Sequence, residues 1–186
     1  SYLIAILLNL FYSIFKNKKV DSSNIFWFTT FVISYLGIFG SLAMLMLRVE
    51  DGASRVFLFI AITALSDTGG YLTGIVLGKH RLAPNISPNK SYEGLIGSII
   101  FASLFAGIIG PEFLDITSVQ GVIIGIVLAF SGTLGDLFES GIKRKLGIKD
   151  FSTLIPGHGG MFDRLDSLAP NALMSFLLFG YFLGFN

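Results

Sequence analysis

Six long apolar runs dominate this 186-residue chain, at about residues 1 to 15, 25 to 47, 56 to 78, 95 to 110, 121 to 138 and 167 to 185. A helix needs roughly 20 residues to cross a bilayer core, so the second and third runs suffice and the fourth and fifth must borrow flanking residues. FVISYLGIFGSLAMLML is apolar on every face, whereas a strand of a membrane barrel alternates apolar and polar side chains. Only 13% of residues are charged and the mean hydropathy is +0.75, far from a water-soluble domain, where about a quarter are charged. The expected fold class is all-α: a polytopic transmembrane helical bundle with about six membrane segments, forming one domain over 1–186. The first run is too short for a full crossing and lacks the charged start and cleavage pattern of a signal peptide. It reads as the tail of a span truncated at the N-terminus.

All five prolines fall in loops or near the ends of runs, as expected of helices that must satisfy their own backbone in lipid. GGYLTGIVLG and GSIIFASLFAG carry small residues that permit close helix approach. Orientation follows from the cations. Lys16, Lys18, Lys19, Lys79, Arg81, Lys90, Lys143, Arg144, Lys145, Lys149 and Arg164 follow the first, third and fifth runs. The other two loops hold only Arg48 and Arg55, together with Glu50, Asp51, Glu112 and Asp115. This asymmetry places the loops after the odd-numbered runs in the cytoplasm. The chain is expected to be a multi-pass integral membrane protein with its polar site facing the cytoplasm, in the inner membrane if the source is bacterial.

Positive-inside bias explains the lysines but not the acids. If the fifth run continues as a helix through GTLGDLFESGIKRK, then Asp136, Glu139, Ser140 and Lys143 share one face running from membrane depth into the loop. Asp163, Arg164 and Asp166 open the sixth run. With no Cys in the chain, any metal must use oxygen or imidazole donors. Carboxylates flanking a loop of Lys, Arg and Gly suit Mg²⁺, which accepts a few carboxylates and fills its other positions with water and phosphate oxygens. In PGHGG, Gly159 and Gly160 allow backbone N–H groups to approach anionic oxygens. His158 reads equally as a phosphate donor or a structural hydrogen-bonder. Asp67, inside FIAITALSDTGGYLTG, is costly within a membrane, so it is either functional or buried against a partner that fixes helix packing. Lys90 and Glu93 lie in NISPNKSYEG, which taken alone reads as an ordinary loop leading into a helix start.

The stretch SGIKRKLGIKDFSTLIPGHGGMFDRLD, residues 140–166, resembles the signature of the phosphatidate cytidylyltransferase (CDP-diacylglycerol synthase) family. Ser140, Lys143, Arg144, Lys149, Asp150, His158, Gly159, Gly160, Asp163, Arg164 and Asp166 fill its positions. SDTGGYLTG resembles that family's Asp-containing segment. SPNKSYEG is similar to its Ser-Pro-Lys-Lys-Thr-aromatic-Glu-Gly loop, departing at Asn89 and Ser91 but keeping Lys90 and Glu93. The resemblance implies cytidylyl transfer from CTP to phosphatidic acid at the bilayer, with Mg²⁺ and room for a second, monovalent or divalent, cation. It further implies Asp136, Asp163 and Asp166 as metal ligands, supported by Glu139. Lys143, Arg144 and Arg164 would join these acids in catalysis. Asp67, Lys90, Glu93, Ser140, Lys149, Asp150, His158, Gly159 and Gly160 would bind substrate. A homodimer is compatible with this reading, and no nucleic-acid partner is expected.

Two other readings fit parts of the pattern. The signature reads phosphate and metal rather than acyl chain, so another lipid phosphate, such as an isoprenoid-type lipid, would satisfy it. A transporter would use Asp67 and Asp136 along an ion pathway, but discontinuous or repeated helices are not evident, and a pathway has no need of a basic glycine loop.

Overall fold

The computed structural model describes residues 22–145 and 166–185. Five helices account for most of them: α1 (Ser22–Met46), α2 (Gly52–Leu77), α3 (Tyr92–Phe113), α4 (Ser118–Lys145) and α5 (Leu168–Leu183). Of these, α2, α3 and α4 are long and apolar enough to cross a bilayer. The 16 residues of α5 reach only about 24 Å at the helical rise, short of a core about 30 Å thick. The first apolar run lies outside the described residues.

The all-α expectation needs one correction. Between α2 and α3 lies an antiparallel hairpin of β1 (Arg81–Ala83) and β2 (Ser87–Ser91), pairing Arg81 with Ser91 and Ala83 with Ser87 around an irregularity in register. Its turn closes when the Ile86 N–H donates to the Ala83 carbonyl at 3.1 Å, leaving Pro84 where its fixed φ suits a turn. Pro88 lacks an N–H, and a two-stranded ribbon tolerates this because both strands are edges.

Local chemistry sets the helix starts. Ser91 caps α3 by accepting the Gly94 N–H at 3.1 Å. Before α4, Thr117 and Gln120 form a reciprocal capping box: the Gln120 side chain accepts the Thr117 N–H at 2.7 Å, and the Thr117 hydroxyl accepts the Gln120 N–H at 3.3 Å. From there α4 runs unbroken past the fifth apolar run to Lys145, so Asp136, Glu139, Ser140 and Lys143 do share a helical face.

The core sits where α2, α3, α4 and α5 meet, around the fully buried Leu58, Ile62, Ile124, Leu128 and Phe179. Lipid supplies little hydrophobic drive between helices, so contact depends on small residues and polar ties. A Cβ added at Gly121 or Gly125 of α4 would run into the α3 backbone at Ala102, Ser103 and Ala106. The Ser98 hydroxyl of α3 donates to the Ser66 carbonyl of α2 at 2.8 Å. Against α5, the α4 residue Gly135 leaves room for the Asp166 carbonyl and Pro170. That close approach brings the residues preceding α5 alongside Asp136.

Candidate active site

A cavity of about 800 Å³ opens between α2, the hairpin, α3, α4 and the start of α5. On α2 its wall extends from Gly78, beside the hairpin, to Asp67, about 16 Å along the helix. Gly70, Gly74 and Gly94 line the wall between α2 and α3. Among the described residues, three carboxylates line it, Asp67, Asp136 and Asp166, and so do Arg81 and Lys90.

Each carboxylate comes from a different part of the chain: α2, α4 and the segment before α5. Lys90 of β2 places its Nζ 2.6 Å from Asp136 Oδ2, and the Ser140 hydroxyl, one turn along α4, donates to Asp136 Oδ1 at 3.2 Å. Asp67 accepts the Ser167 hydroxyl on Oδ2 at 2.8 Å. Asp166 accepts the Ser167 N–H on Oδ1 at 2.8 Å. Burial, and then the neighbouring negative charge of Asp136, push the Asp166 carboxyl up to about 6, with Asp67 adding to the effect.

The remaining sequence-derived residues take several positions. Lys143 pairs with the buried Glu139 at 2.8 Å. The Arg144 Nε donates to the Ile86 carbonyl at the hairpin tip, at 3.1 Å. Glu93 does not line the cavity beside Lys90. Its carboxylate accepts the Lys79 and His80 N–H groups at 3.2 Å and contacts the His80 ring at 2.6 Å, so it staples the exit of α2 to the entrance of α3. Lys149, Asp150, His158, Gly159, Gly160, Asp163 and Arg164 lie outside the described residues. Arg81 and Ser167 were missed by sequence reasoning. Arg81 carries only the sign of its charge as a signal, and Ser167 only its place beside Asp166.

Among the described residues, no three acidic or imidazole side chains form a metal-holding group. Two carboxylates, Asp136 of α4 and Asp166 just before α5, nevertheless line one cavity, and the charge of Asp136 adds to the burial that raises the Asp166 carboxyl. An oxygen-only donor set of this kind fits a hard divalent ion that keeps open positions for water and phosphate.

Helices long and apolar enough to cross a bilayer, set around a cavity that mixes carboxylates with lysine and arginine, mark a membrane protein with a polar site. The chain belongs to the cytidylyltransferase family, whose sequence profile matches residues 1–182. It is 44% identical over 151 residues to the phosphatidate cytidylyltransferase of Mycobacterium leprae, covering 81% of this chain and 48% of that protein. With the phosphatidate cytidylyltransferase of Staphylococcus saprophyticus it shares 43% identity over 137 residues, 73% of this chain and 52% of the relative. It is also 36% identical over 165 residues to the uncharacterized protein YnbB of Escherichia coli, covering 86% and 54%. The chain spans about half the length of the curated relatives it matches.

Proposed function

We propose that this chain carries the active site of a phosphatidate cytidylyltransferase, which transfers the cytidylyl group of CTP to phosphatidic acid and yields CDP-diacylglycerol and pyrophosphate. The observation that carries the proposal is the convergence of Asp67, Asp136, Asp166 and Lys90 on one cavity between spanning helices, in a chain of this family.

The phosphate monoester of phosphatidic acid is already anionic near neutral pH. An oxygen of that monoester attacks the α-phosphorus of CTP, the new P–O bond forms, the bond to the bridging oxygen breaks, and pyrophosphate leaves with the electron pair. The barrier lies in aligning two anions and neutralising the charge that shifts to the leaving group, so positioned cations matter more than a strong base. Mg²⁺, when bound, supplies that neutralisation and orients phosphate oxygens. Asp136 and Asp166, with Asp163, are the residues proposed to hold it. Lys90 approaches from the hairpin, across the cavity, as a point charge for a nucleotide phosphate. A cavity wall reaching from the hairpin to Asp67 lets a lipid head group and a soluble nucleotide meet without the lipid leaving the bilayer.

Purified protein in detergent with labelled CTP, Mg²⁺ and phosphatidic acid should release CDP-lipid and pyrophosphate in equal amounts. Turnover only with an isoprenoid-type lipid phosphate would change the substrate, and no turnover with either lipid would remove the reading. The cytoplasmic orientation has its own test. Because the chain lacks native Cys, single cysteines in 79–94 or 141–162 should react with a membrane-impermeant thiol reagent from the cytoplasmic side alone, and Ser118→Cys from the opposite side alone. Cytoplasmic labelling of Ser118→Cys would overturn that topology.

A further inference from the structure

Ser167 occupies the N-cap position of α5, where a serine ordinarily accepts an N–H from the first turn of its own helix. It makes no such cap. Its nearly buried side chain, 4% exposed, turns to another helix and donates its hydroxyl to Asp67 Oδ2 at 2.8 Å. The Ser167 N–H meanwhile donates to Asp166 Oδ1 at 2.8 Å, and its hydroxyl oxygen lies 3.5 Å from that same carboxylate oxygen. One residue thus touches a carboxylate from the interior of α2 and another from the segment before α5.

The seat of this serine is itself fixed. A Cβ at Gly132 of α4 would stand 3.3 Å from Ser167 Cβ and 3.1 Å from Asn171 Nδ2, so α4 closes one side. One turn along α5, the Asn171 amide donates to the Thr63 hydroxyl of α2 at 2.9 Å. The two ties, Ser167 to Asp67 and Asn171 to Thr63, are four residues apart on both helices and run in opposite senses, as expected of antiparallel neighbours joined by a polar ladder. The Asn171 rung lies in the core. The Ser167 rung ends in the cavity.

We propose that Ser167 is a positioning residue, which ties Asp67 to Asp166 and holds both carboxylates toward the cavity for the cation and phosphates bound there. The inference rests on the reading of this cavity as a metal and nucleotide site. Partners of this kind around a metal site typically change affinity by about 10- to 100-fold when removed. The test titrates Mn²⁺, a paramagnetic stand-in for Mg²⁺, into detergent-solubilised protein with CTP, followed by electron paramagnetic resonance, with thermal unfolding of the cation-free protein as a check on folding. Ser167→Ala should weaken Mn²⁺ binding about tenfold or more while the variant remains folded. Ser167→Thr keeps the hydroxyl and should recover most of the affinity, whereas Ser167→Val, of the same shape without the donor, should behave like alanine. Affinity in Ser167→Ala within about twofold of the wild type overturns the proposal, as does equal behaviour of the Thr and Val variants. Should neither of those two fold, the Ala result alone decides in the same way, and a wild type that binds no Mn²⁺ with CTP also overturns it. A wild type that binds Mn²⁺ but forms no CDP-lipid would instead sink the proposed reaction and leave this comparison readable.

Discussion

Helix α2 carries charge at two places, and the two are built differently. Near its start, Arg55 is 3% exposed, yet its guanidinium has partners on two sides. Its Nε donates to Asp51 Oδ1 at 2.7 Å and its Nη1 to the Gly184 carbonyl at 2.7 Å. The guanidinium also lies 5.7 Å from the centroid of the Phe185 ring, which stacks on Phe176. One cation, one anion, a carbonyl and a ring close a latch between the start of α2 and the end of α5. About 18 Å further along the helix, Asp67 shares a cavity with Asp136 and Asp166, and there, among the described residues, the carboxylates outnumber the lysine and arginine that line it. Matched charge is architecture, while surplus charge of one sign is a place for a ligand to supply the other.

The strongest way to break this contrast is Asp136→Asn. An amide cannot neutralise a metal ion, so turnover should fall more than about 100-fold if the metal supplies several kcal/mol of transition-state stabilisation, while the protein stays monodisperse in detergent. Near-normal turnover would remove Asp136 from the metal site. Asp163→Asn should behave alike.

Arg55→Met probes the other region and should do the opposite. It leaves the Gly184 carbonyl without its donor and Asp51 without its cation. Because the Asp51 side chain is 36% exposed, water recovers part of the loss, and roughly 2 kcal/mol of stability should go. Thermal unfolding reads this, and activity per folded molecule should stay within about twofold of the wild type. Lost activity at unchanged stability would mean that the latch is part of the site.

Much of this architecture was legible in the sequence, for reasons that differ by element. Long apolar runs have a length scale imposed by the bilayer, so α2, α3 and α4 could be found without knowing their neighbours. The Asp136 face was legible because helical spacing alone joins it to Ser140 and Lys143. The hairpin was read as an ordinary loop, since its prolines and asparagines signal turns and its two short strands have no apolar alternation. Arg55 was counted with the loop cations, whereas it is buried at the start of α2, because its partner Gly184 lies 129 residues away. Ser167 was missed on similar grounds: Asp67 is 100 residues distant, and a serine beside an aspartate has no periodic signal.

Lys90 sharpens the comparison from within the cavity. Lys90→Ala leaves the Asp136 carboxylate with Ser140 but no cation among the described residues, and removes a positive charge from the nucleotide's path. A phosphate contact that strengthens as charge moves to pyrophosphate acts on both constants, so the KM for CTP should rise and kcat should fall, together lowering kcat/KM roughly tenfold. The KM for phosphatidic acid should change much less, measured in mixed micelles at fixed lipid mole fraction. If both constants stay near wild type, Lys90 serves only the charge asymmetry of the loops.

The smallest expected effect separates surplus charge from matched charge by pH alone. Asp166 in the folded protein is pushed up to about 6 from the ordinary 3.8, chiefly by burial and then by Asp136. The folded state therefore holds this proton more tightly than the unfolded chain does. The sign follows: without a cation, stability falls as pH rises from about 4 toward 6, and the cost of the charged carboxylate is fully present above that range. Asp166→Asn removes the cost, so in cation-free detergent its Tm should exceed that of the wild type by roughly 2–4 °C at pH 8, with the gap closing toward pH 4. Mg²⁺ at pH 8 should raise the wild-type Tm more than that of the variant, because only the wild type has the carboxylate for the ion to meet. Asp51→Asn, whose partner Arg55 matches its charge, should lower the Tm at pH 8. A gap for Asp166→Asn that is absent at pH 8, or that widens toward pH 4, would show that the carboxylates of the cavity are already balanced and that the two regions do not differ in kind.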